Sequence, residues 1–204
     1  MYARGRDGGA DRRGPLTLYH CRPTTDGAAC VLLASQDVVE EYTDDPVRVA
    51  GVGAASDRVG LLQRGTYSGV PASRRAAETA CDRAGVGPAD LDFAEVHDCF
   101  AIAELMAYAD IGLCEPGEAG ELVASGATRR DGEIPVNPSG GLKSKGHPIG
   151  ATGAGQVAET FGQLSGGAGE RQLEDSVRGL THNVGGSGGA AVVHVLERER
   201  EVGA

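Results

Sequence analysis

The chain has 204 residues, a formal net charge of −10 at pH 7 and five cysteines. This length can bury a substantial core without covalent staples. An acidic surface repels a phosphate backbone, so the charge excludes a general nucleic-acid binder. No stretch approaches the about 20 apolar residues of a membrane helix, and the cysteines form no short-spaced pairs. We therefore expect a soluble, cytoplasmic protein without disulfides.

The N-terminal quarter of the sequence predicts one disordered segment and two strands. Residues 1–14 are mostly Arg, Gly and Asp without periodicity, and we expect them to be disordered. Order should begin near residue 15, and the apolar run at residues 28–34 after a Thr-Asp-Gly turn predicts a buried strand. "VRVAGVGAAS" at residues 47–56 predicts a second strand. Its "GVG" lacks the third glycine of a dinucleotide-binding turn.

The rest of the chain alternates helix and strand patterns. "SRRAAETACDRAGV" predicts a helix that stops at Gly85, and "LDFAEVHDCF" predicts a strand followed directly by a helix in "AIAELMAYADIGL". Residues 120–142 are rich in turn-forming residues and predict irregular structure, whereas residues 150–166 predict a helix with glycines in its first turn. Residues 179–199 predict a β-hairpin. This order favours a layered α/β domain over a bundle or a sandwich.

Two polar clusters lie at ends of predicted elements. "HDCF" puts His97 and Cys99 where a strand passes into a helix, and residues two apart on a strand project to the same face. "KGHPIG" holds His147 between Gly146 and Pro148, before a helix whose free N–H groups can bind an anion. These clusters offer a thiol and imidazoles to one site.

A third cluster and the lysines add hydrogen-bond donors and positive charge. "HNVGGSGG" contains Asn183 and the backbone N–H groups around Gly185, which are the kind of hydrogen-bond donors that form an oxyanion hole. Lys143 and Lys145 are the two lysines of the chain, and both lie beside the glycine-rich loop. Ammonium groups there suit an anionic ligand, although a lysine on a solvated loop is the commoner arrangement. "GGLKS" itself fails the spacing of a phosphate-binding loop.

Other histidines and cysteines have simpler explanations. Most lone cysteines are small buried hydrophobes. His194 alternates with valines and is expected to be an ordinary strand residue. His20 and Cys21 could approach His97 and Cys99 around a zinc ion, but the sequence has no second short-spaced ligand pair, so we expect no metal site.

The three clusters together resemble the thiolase family. "GHPIGATGAGQ" resembles the thiolase histidine loop, "HDCF" the motif of the archaeal and sterol-carrier-type branch, and "HNVGGSGGAAVVHV" that branch's C-terminal hairpin. The motifs occur in the family's order and with its approximate spacing, and the resemblance covers roughly residues 15–196. The resemblance implies a layered α/β/α domain that ends in a β-hairpin. Residues 46–204 would form the thiolase C-terminal domain, and residues 15–45 the end of the N-terminal half.

The resemblance also implies an acyl-CoA acyltransferase, acetyl-CoA acetyltransferase-like, that performs Claisen condensation or thiolysis of a 3-oxoacyl-CoA. Coenzyme A thioesters are its substrates, and no other cofactor is implied. His147 would activate the nucleophile and help form an oxyanion hole, His97 would replace an asparagine of the other branch in that hole, and Cys99 would transfer the proton at the condensing carbon. Asn183 stands where the other branch has its acid–base cysteine.

The remaining residues carried over by the resemblance bind substrate. Gly146 and its neighbouring glycines would let the backbone wrap the thioester and its pantetheine arm, and Pro148 would fix the approach of His147. Gly185 is retained from the family's C-terminal turn. Lys143 and Lys145 would face the CoA phosphates.

The family's nucleophilic cysteine lies in an N-terminal loop for which these 204 residues offer no match. We therefore expect half of a split or truncated thiolase that is inactive alone, self-associates through uncovered apolar surface, and works with a separate N-terminal chain. The family also suggests an OB-fold protein and a hydroxymethylglutaryl-CoA synthase as partners. A non-catalytic acyl-CoA-binding or scaffold subunit and a Cys99/His147 thioesterase remain alternatives.

Overall fold

The computed structural model describes residues 16–199, so the segment expected to be disordered lies outside the described residues. Four strands and five α-helices lie within this range. Their bounds, in chain order, are β1 Val47–Ser56, α1 Pro71–Ala84, β2 Phe93–Val96, α2 Ala101–Asp110, α3 Ala119–Ser125, α4 Gly141–Lys145, α5 Thr152–Leu164, β3 Arg178–Gly185 and β4 Ala190–Arg198. None of these helices is long and apolar enough to cross a membrane.

The strands form one mixed sheet in the order β1-β4-β3-β2. β4 pairs antiparallel with both β1 and β3, whereas β2 pairs parallel with β3. The predicted C-terminal hairpin is confirmed as β3 and β4, joined by residues 186–189. In this hairpin loop, Gly186 and Gly188 have φ angles of 57° and 96°, which favour glycine.

Helix α1 packs on one face of the sheet through small side chains. It begins with Pro71 and ends before Gly85, whose φ of 70° makes it a left-handed cap, as the sequence predicted. A Cβ at Gly53 would collide with the carbonyl oxygen of Ala76, and one at Gly51 with that of Ala80. The "GVG" of β1 therefore lets a helix backbone approach the strand, which explains its glycines without a nucleotide.

Helix α5 packs on the opposite face of the sheet. A separate apolar cluster lies there, built from Phe93, Leu164, Leu173 and Leu196. The larger core on the α1 face contains Leu180, Val193 and Val195, which alternate along β3 and β4 with residues of the α5 face. Helices on both sides of a sheet give three layers, so the predicted α/β/α arrangement is confirmed.

Two predictions about local structure are wrong. Residues 28–34 form no strand and are exposed: Leu32 and Leu33 each keep 76% of their surface accessible. The run has the apolar composition of a buried strand, but nothing within residues 16–199 covers it. The stretch at 120–142, predicted to be irregular, contains most of α3 and the start of α4. Both helices are short, and the neighbouring glycines concealed them.

The segment before α4 is held against the end of β2. Val136 forms a parallel bridge with Ala94, and the N–H of Asn137 donates to the Ala94 carbonyl at 2.7 Å. The Asn137 side-chain oxygen accepts from Val96 N–H at 2.8 Å. Asn137 has a φ of 54°, in the left-handed region that asparagine tolerates better than most residues. These bonds bring α4 and the following histidine loop beside the carboxyl end of β2.

Candidate functional site

Two histidines from distant parts of the sequence meet at the end of β2. His97 follows the last residue of this strand, and His147 lies in the loop between α4 and α5. Their imidazole rings are nearly perpendicular, at 81°, with centroids 5.0 Å apart. The structure therefore brings together one histidine from each of the first two predicted clusters.

Asn183 of β3 joins the same group. Its Nδ2 lies 3.2 Å from His97 Nδ1 and 3.0 Å from Gln156 Oε1. Because β2 and β3 are parallel neighbours, their carboxyl ends bring His97 and Asn183 to one edge of the sheet. Burial, followed by the nearby His147, lowers the pKa of His97 to about 4, so His97 is neutral at pH 7.

The loop that carries His147 is fixed on both sides. His147 Nδ1 lies 2.8 Å from the hydroxyl oxygen of Thr152 at the start of α5. The His147 carbonyl accepts from Thr25 N–H at 3.3 Å. Gly146 has a φ of 78°, and a Cβ there would press against the Thr25 side chain. The glycine before the histidine thus lets residues 24–25 lie alongside the loop.

Cys99 lies in the turn between β2 and α2, half-buried. Its carbonyl accepts from Arg22 N–H at 3.0 Å, and burial raises the pKa of its thiol. Within residues 16–199 no hydrogen bond joins this thiol to His97 or His147. Cys99 therefore lies two residues from His97 in sequence, but no hydrogen bond ties its side chain to either ring.

Buried Asp98, between His97 and Cys99, holds the surrounding backbone. Its carboxylate accepts from Leu142 N–H at 2.9 Å and pairs with Arg22 at 3.5 Å. This aspartate connects the HDCF turn to α4 and to the segment before residue 25. Its role was not predicted from the sequence, although its position between two predicted site residues was a signal.

The third predicted cluster is arranged differently from expectation. Gly185 is the last residue of β3 and pairs with Ala190, so it belongs to the strand and not to the turn. His194 is confirmed as a strand residue of β4, and its Nδ1 lies 3.0 Å from the Thr181 hydroxyl. Of this cluster, Asn183 is the side chain that reaches the histidines.

Both lysines make intramolecular contacts. Lys143 Nζ donates to the Tyr19 carbonyl at 2.8 Å, and Lys145 Nζ pairs with the Glu95 carboxylate at 3.3 Å. The Lys145 ammonium also donates to the Ser139 hydroxyl. The sequence did not indicate these partners, because Glu95 is far from Lys145 along the chain.

Two residues of α5 that were not predicted from the sequence contact the site. Thr152 and Gln156 are buried and one helical turn apart, on the same face of the helix. The signal was present: polar residues at this spacing on a predicted amphipathic helix are unusual on its buried side. An open cavity of about 310 Å³ lies beside Gln156, between Gly153 and Ala154 of α5 and Val192 of β4.

The same part of the chain shows no metal centre. Within residues 16–199, no group of three or more His, Cys, Asp or Glu side chains is arranged to hold an ion. Cys21 instead forms a backbone bridge with Phe100.

Comparison with known proteins identifies the family. Residues 53–198 match the family model described as "Thiolase C-terminal domain-like". An acetyl-CoA acetyltransferase of Methanothermobacter thermautotrophicus is 49% identical over 184 residues, which cover 90% of this chain and 48% of the relative. Sterol carrier protein 2 of Rattus norvegicus is 40% identical, over 87% of this chain and 33% of the relative.

A solved structure agrees on the fold. The Ltp2-ChsH2(DUF35) aldolase superposes with a TM-score of 0.78 at 21% identity, over 92% of this chain and 49% of that chain. The chain spans about half the length of the archaeal relative and a third of the rat one. The family model and the identities agree with the HDCF, histidine-loop and hairpin motifs, and the chain belongs to the thiolase family.

Proposed function

We propose that this chain supplies the acid–base half of a thiolase-type acyl-CoA acyltransferase site, and that a further thiolase segment supplies the nucleophilic cysteine. The observation that carries the proposal is the contact between His97 and His147, with Asn183 bonded to His97. The three side chains come from elements distant in sequence, so local geometry does not explain their meeting. Acid–base chemistry needs such groups around one reacting atom.

In this proposal the reaction has two stages. His147 takes the proton of the nucleophilic thiol, which attacks an acyl-CoA and releases CoA to leave an acyl-enzyme thioester. Cys99 gives its thiol proton to the departing CoA thiolate, and the resulting Cys99 thiolate removes a proton from the α-carbon of a second acyl-CoA, while His97 donates a hydrogen bond to the developing enolate oxygen. The enolate carbon attacks the acyl thioester, which gives a 3-oxoacyl-CoA and regenerates the nucleophilic thiolate. Thiolysis runs the same steps in reverse.

The environment of Cys99 supports a proton carrier over a nucleophile. Burial raises the pKa of its thiol, so the resting thiolate population at neutral pH is small. A nucleophilic cysteine in a thioesterase would need the opposite shift and a base bonded to its sulfur. Neither of these features is found around Cys99 within the described residues, so the thioesterase alternative is the weaker one.

The exposed apolar segment supports a further covering segment. Leu32 and Leu33, both 76% exposed, lie in the run that the sequence predicted to be buried. Large apolar side chains that remain in water beside a folded domain mark a surface that another polypeptide covers. The archaeal relatives are named acetyl-CoA acetyltransferases, which favours acetyl-CoA as the acyl donor.

Complementation tests this proposal. The chain is co-expressed with the N-terminal half of the Methanothermobacter thermautotrophicus relative, and thiolysis of acetoacetyl-CoA by CoA is measured. We expect activity in the pair and none in either part, and a loss of at least about 100-fold in Cys99→Ser and His147→Gln. Cys114→Ser, at a half-buried cysteine beyond the end of α2, is the matched control. Full activity in the Cys99→Ser pair would refute the assigned role.

Mass spectrometry tests the missing nucleophile directly. The isolated chain is incubated with acetyl-CoA, and we expect no stable acyl adduct, because the nucleophile belongs to the other segment. An adduct on Cys21, Cys30 or Cys99, accompanied by thiolysis, would show that this chain carries its own nucleophile.

A further inference from the structure

A neutral histidine carries its proton on either Nδ1 or Nε2, and the hydrogen bonds around the ring decide which. The choice matters for His97 and His147, because it determines which ring donates and which accepts at its other nitrogen. His147 Nδ1 contacts Thr152 directly, and His97 Nδ1 contacts Gln156 through Asn183. Thr152 and Gln156 both lie on helix α5. The tautomers of the two histidines can therefore be derived from backbone carbonyls, which only accept hydrogen bonds.

The network at His97 starts at Gln156. Gln156 Nε2 lies 3.1 Å from the His182 carbonyl and 3.3 Å from the Glu95 carbonyl. Two acceptors on that side require the NH₂ group to face them, so Gln156 Oε1 faces Asn183.

The orientation of Asn183 follows from that of Gln156. The Gln156 oxygen must receive a hydrogen, which places the Asn183 NH₂ group at 3.0 Å from it. The same NH₂ group lies 3.2 Å from His97 Nδ1. An amide nitrogen only donates, so His97 Nδ1 is the acceptor and the His97 proton is on Nε2.

The network at His147 starts at Thr152. The Thr152 hydroxyl lies 3.1 Å from the Pro148 carbonyl and 2.8 Å from His147 Nδ1. A hydroxyl has one proton. If that proton pointed to the imidazole, two oxygens would face each other at 3.1 Å with no hydrogen between them. The arrangement that satisfies both contacts has Thr152 donating to Pro148 and His147 Nδ1–H donating to Thr152.

We propose that Thr152 and Gln156, one turn apart on α5, are positioning residues that fix opposite tautomers on the two histidines: Nδ1–H on His147 and Nε2–H on His97. Both side chains are at least 98% buried, so water does not compete for these bonds. One face of a single helix thus sets the proton positions of two imidazoles that reach the site from different loops.

The opposite tautomers give the two rings opposite functions, and this assignment rests on the proposed function. His147 keeps a bare Nε2, which can take the proton of a thiol. His97 keeps an Nε2–H, which can donate to a developing oxyanion without first binding a proton from solvent. With the tautomers exchanged, His97 would present a lone pair to an anion and His147 would have no basic nitrogen at that position.

Nitrogen NMR of the intact chain tests the tautomers without any activity. Imidazole ¹⁵N shifts and long-range ¹H–¹⁵N correlations distinguish a protonated ring nitrogen from a bare one, and His97→Gln and His147→Gln assign the signals. At pH 7.5 we expect the His97 proton on Nε2 and the His147 proton on Nδ1. Free histidine in water favours Nε2–H, so the His147 signal is the discriminating observation.

Matched pairs on α5 separate positioning from packing. Thr152→Val should move the His147 proton mainly to Nε2, and Thr152→Ser should restore Nδ1–H. Thr160→Val is its control, because the Thr160 hydroxyl is buried and has no hydrogen-bond partner within the described residues. Gln156→Met should give His97 a mixture of tautomers. Gln163→Met is its control, since Gln163 is equally buried but bonds to Leu173 and Arg171.

Three results would overturn the inference. The first is a wild-type His147 protonated mainly on Nε2, and the second is a wild-type His97 protonated on Nδ1. The third is a substitution at Thr152 or Gln156 that leaves the tautomer of its histidine partner unchanged, or changes it no more than the control substitution does. If Gln156→Met does not fold, Asn183→Asp replaces it: a carboxylate only accepts, so the His97 proton should move to Nδ1. Failed complementation with these tautomers intact would refute the proposed function alone.

Discussion

Lys145 pairs with Glu95, a carboxylate with 0% of its surface exposed, at an Nζ–Oε2 distance of 3.3 Å. Ser139 completes the arrangement, because its N–H and hydroxyl donate to the two oxygens of the same carboxylate at 2.9 and 2.8 Å. Glu95 lies on β2, two residues before His97, and Lys145 lies at the end of α4, two residues before His147. The ion pair therefore ties together the two elements that carry the histidine pair.

Removal of the Lys145 ammonium should be costly. Lys145→Met leaves a buried carboxylate without its cation, and we expect a loss of about 3 kcal/mol in the free energy of unfolding, measured by urea denaturation at pH 8. Lys143→Met is the control, because that exposed lysine donates to a backbone carbonyl. Equal stability of the two variants would contradict a structural role for the pair.

The loss in Lys145→Met should shrink at lower pH. Burial raises the pKa of Glu95 above its ordinary 4.5, and removal of the cation raises it further. The folded variant then binds a proton more readily than the unfolded chain, so its stability increases as the pH falls through the raised pKa towards 4.5. Repeating the urea titrations between pH 8 and pH 5 measures this. A gap between variant and wild type that stays constant over this range would argue against an ionised Glu95.

Gly53 should not tolerate a methyl group. Its Cβ would collide with the Ala76 carbonyl oxygen, so Gly53→Ala must separate α1 from β1, at a cost of about 3 kcal/mol in unfolding free energy. Gly65→Ala is the matched control, since a Cβ there meets nothing within 4 Å. Thermal unfolding followed by circular dichroism compares them. A Gly53→Ala protein as stable as Gly65→Ala would show that the helix lies farther from the strand.

His182 should make stability fall in mild acid. It is buried with its Nε2 2.7 Å from the Ser73 hydroxyl, and burial lowers its pKa from 6.5 to about 3. Below pH 6.5 His182 is protonated in the unfolded chain but stays neutral in the folded chain. The stability that the neutral, buried His182 contributes is therefore lost progressively as the pH falls from 6.5 towards 3.

The His182 effect can be isolated by substitution. Between pH 7.5 and pH 5 the unfolding equilibrium constant should rise at least about tenfold more in wild type than in His182→Gln. Carboxyl groups with raised pKa, such as Asp110 at about 6, act in the opposite direction but are common to both proteins. Parallel pH profiles for wild type and variant would contradict a neutral buried His182.

The segment at residues 28–34 should drive self-association. The double variant Leu32→Ser/Leu33→Ser should bind less of an apolar-surface dye and sediment as smaller species than wild type. Leu61→Ser/Leu62→Ser is the matched control, because this adjacent pair is also exposed, at 55% and 88%. A wild-type chain that is a monodisperse monomer without dye binding, or equal effects of the two double variants, would refute this role.

Several elements could be predicted because local residues determine them. The alanine face of α1 and its Gly85 stop, the β-branched strand β1 and the glycine loop between β3 and β4 are each encoded within a short window. Where the sequence failed, the deciding interactions were not local. The run at residues 28–34 has the composition of a buried strand, but no part of the described chain covers it.

By itself, the sequence determined the family and the histidine, cysteine and asparagine positions of the candidate site, because these are carried by short motifs. The tertiary structure alone decided which of them meet. Parallel pairing of β2 with β3 brings Asn183 to His97, and packing of α5 brings Gln156 and Thr152 to the two rings. Side-chain hydrogen bonds depend on distances of a few tenths of an ångström between distant residues, which local composition does not specify.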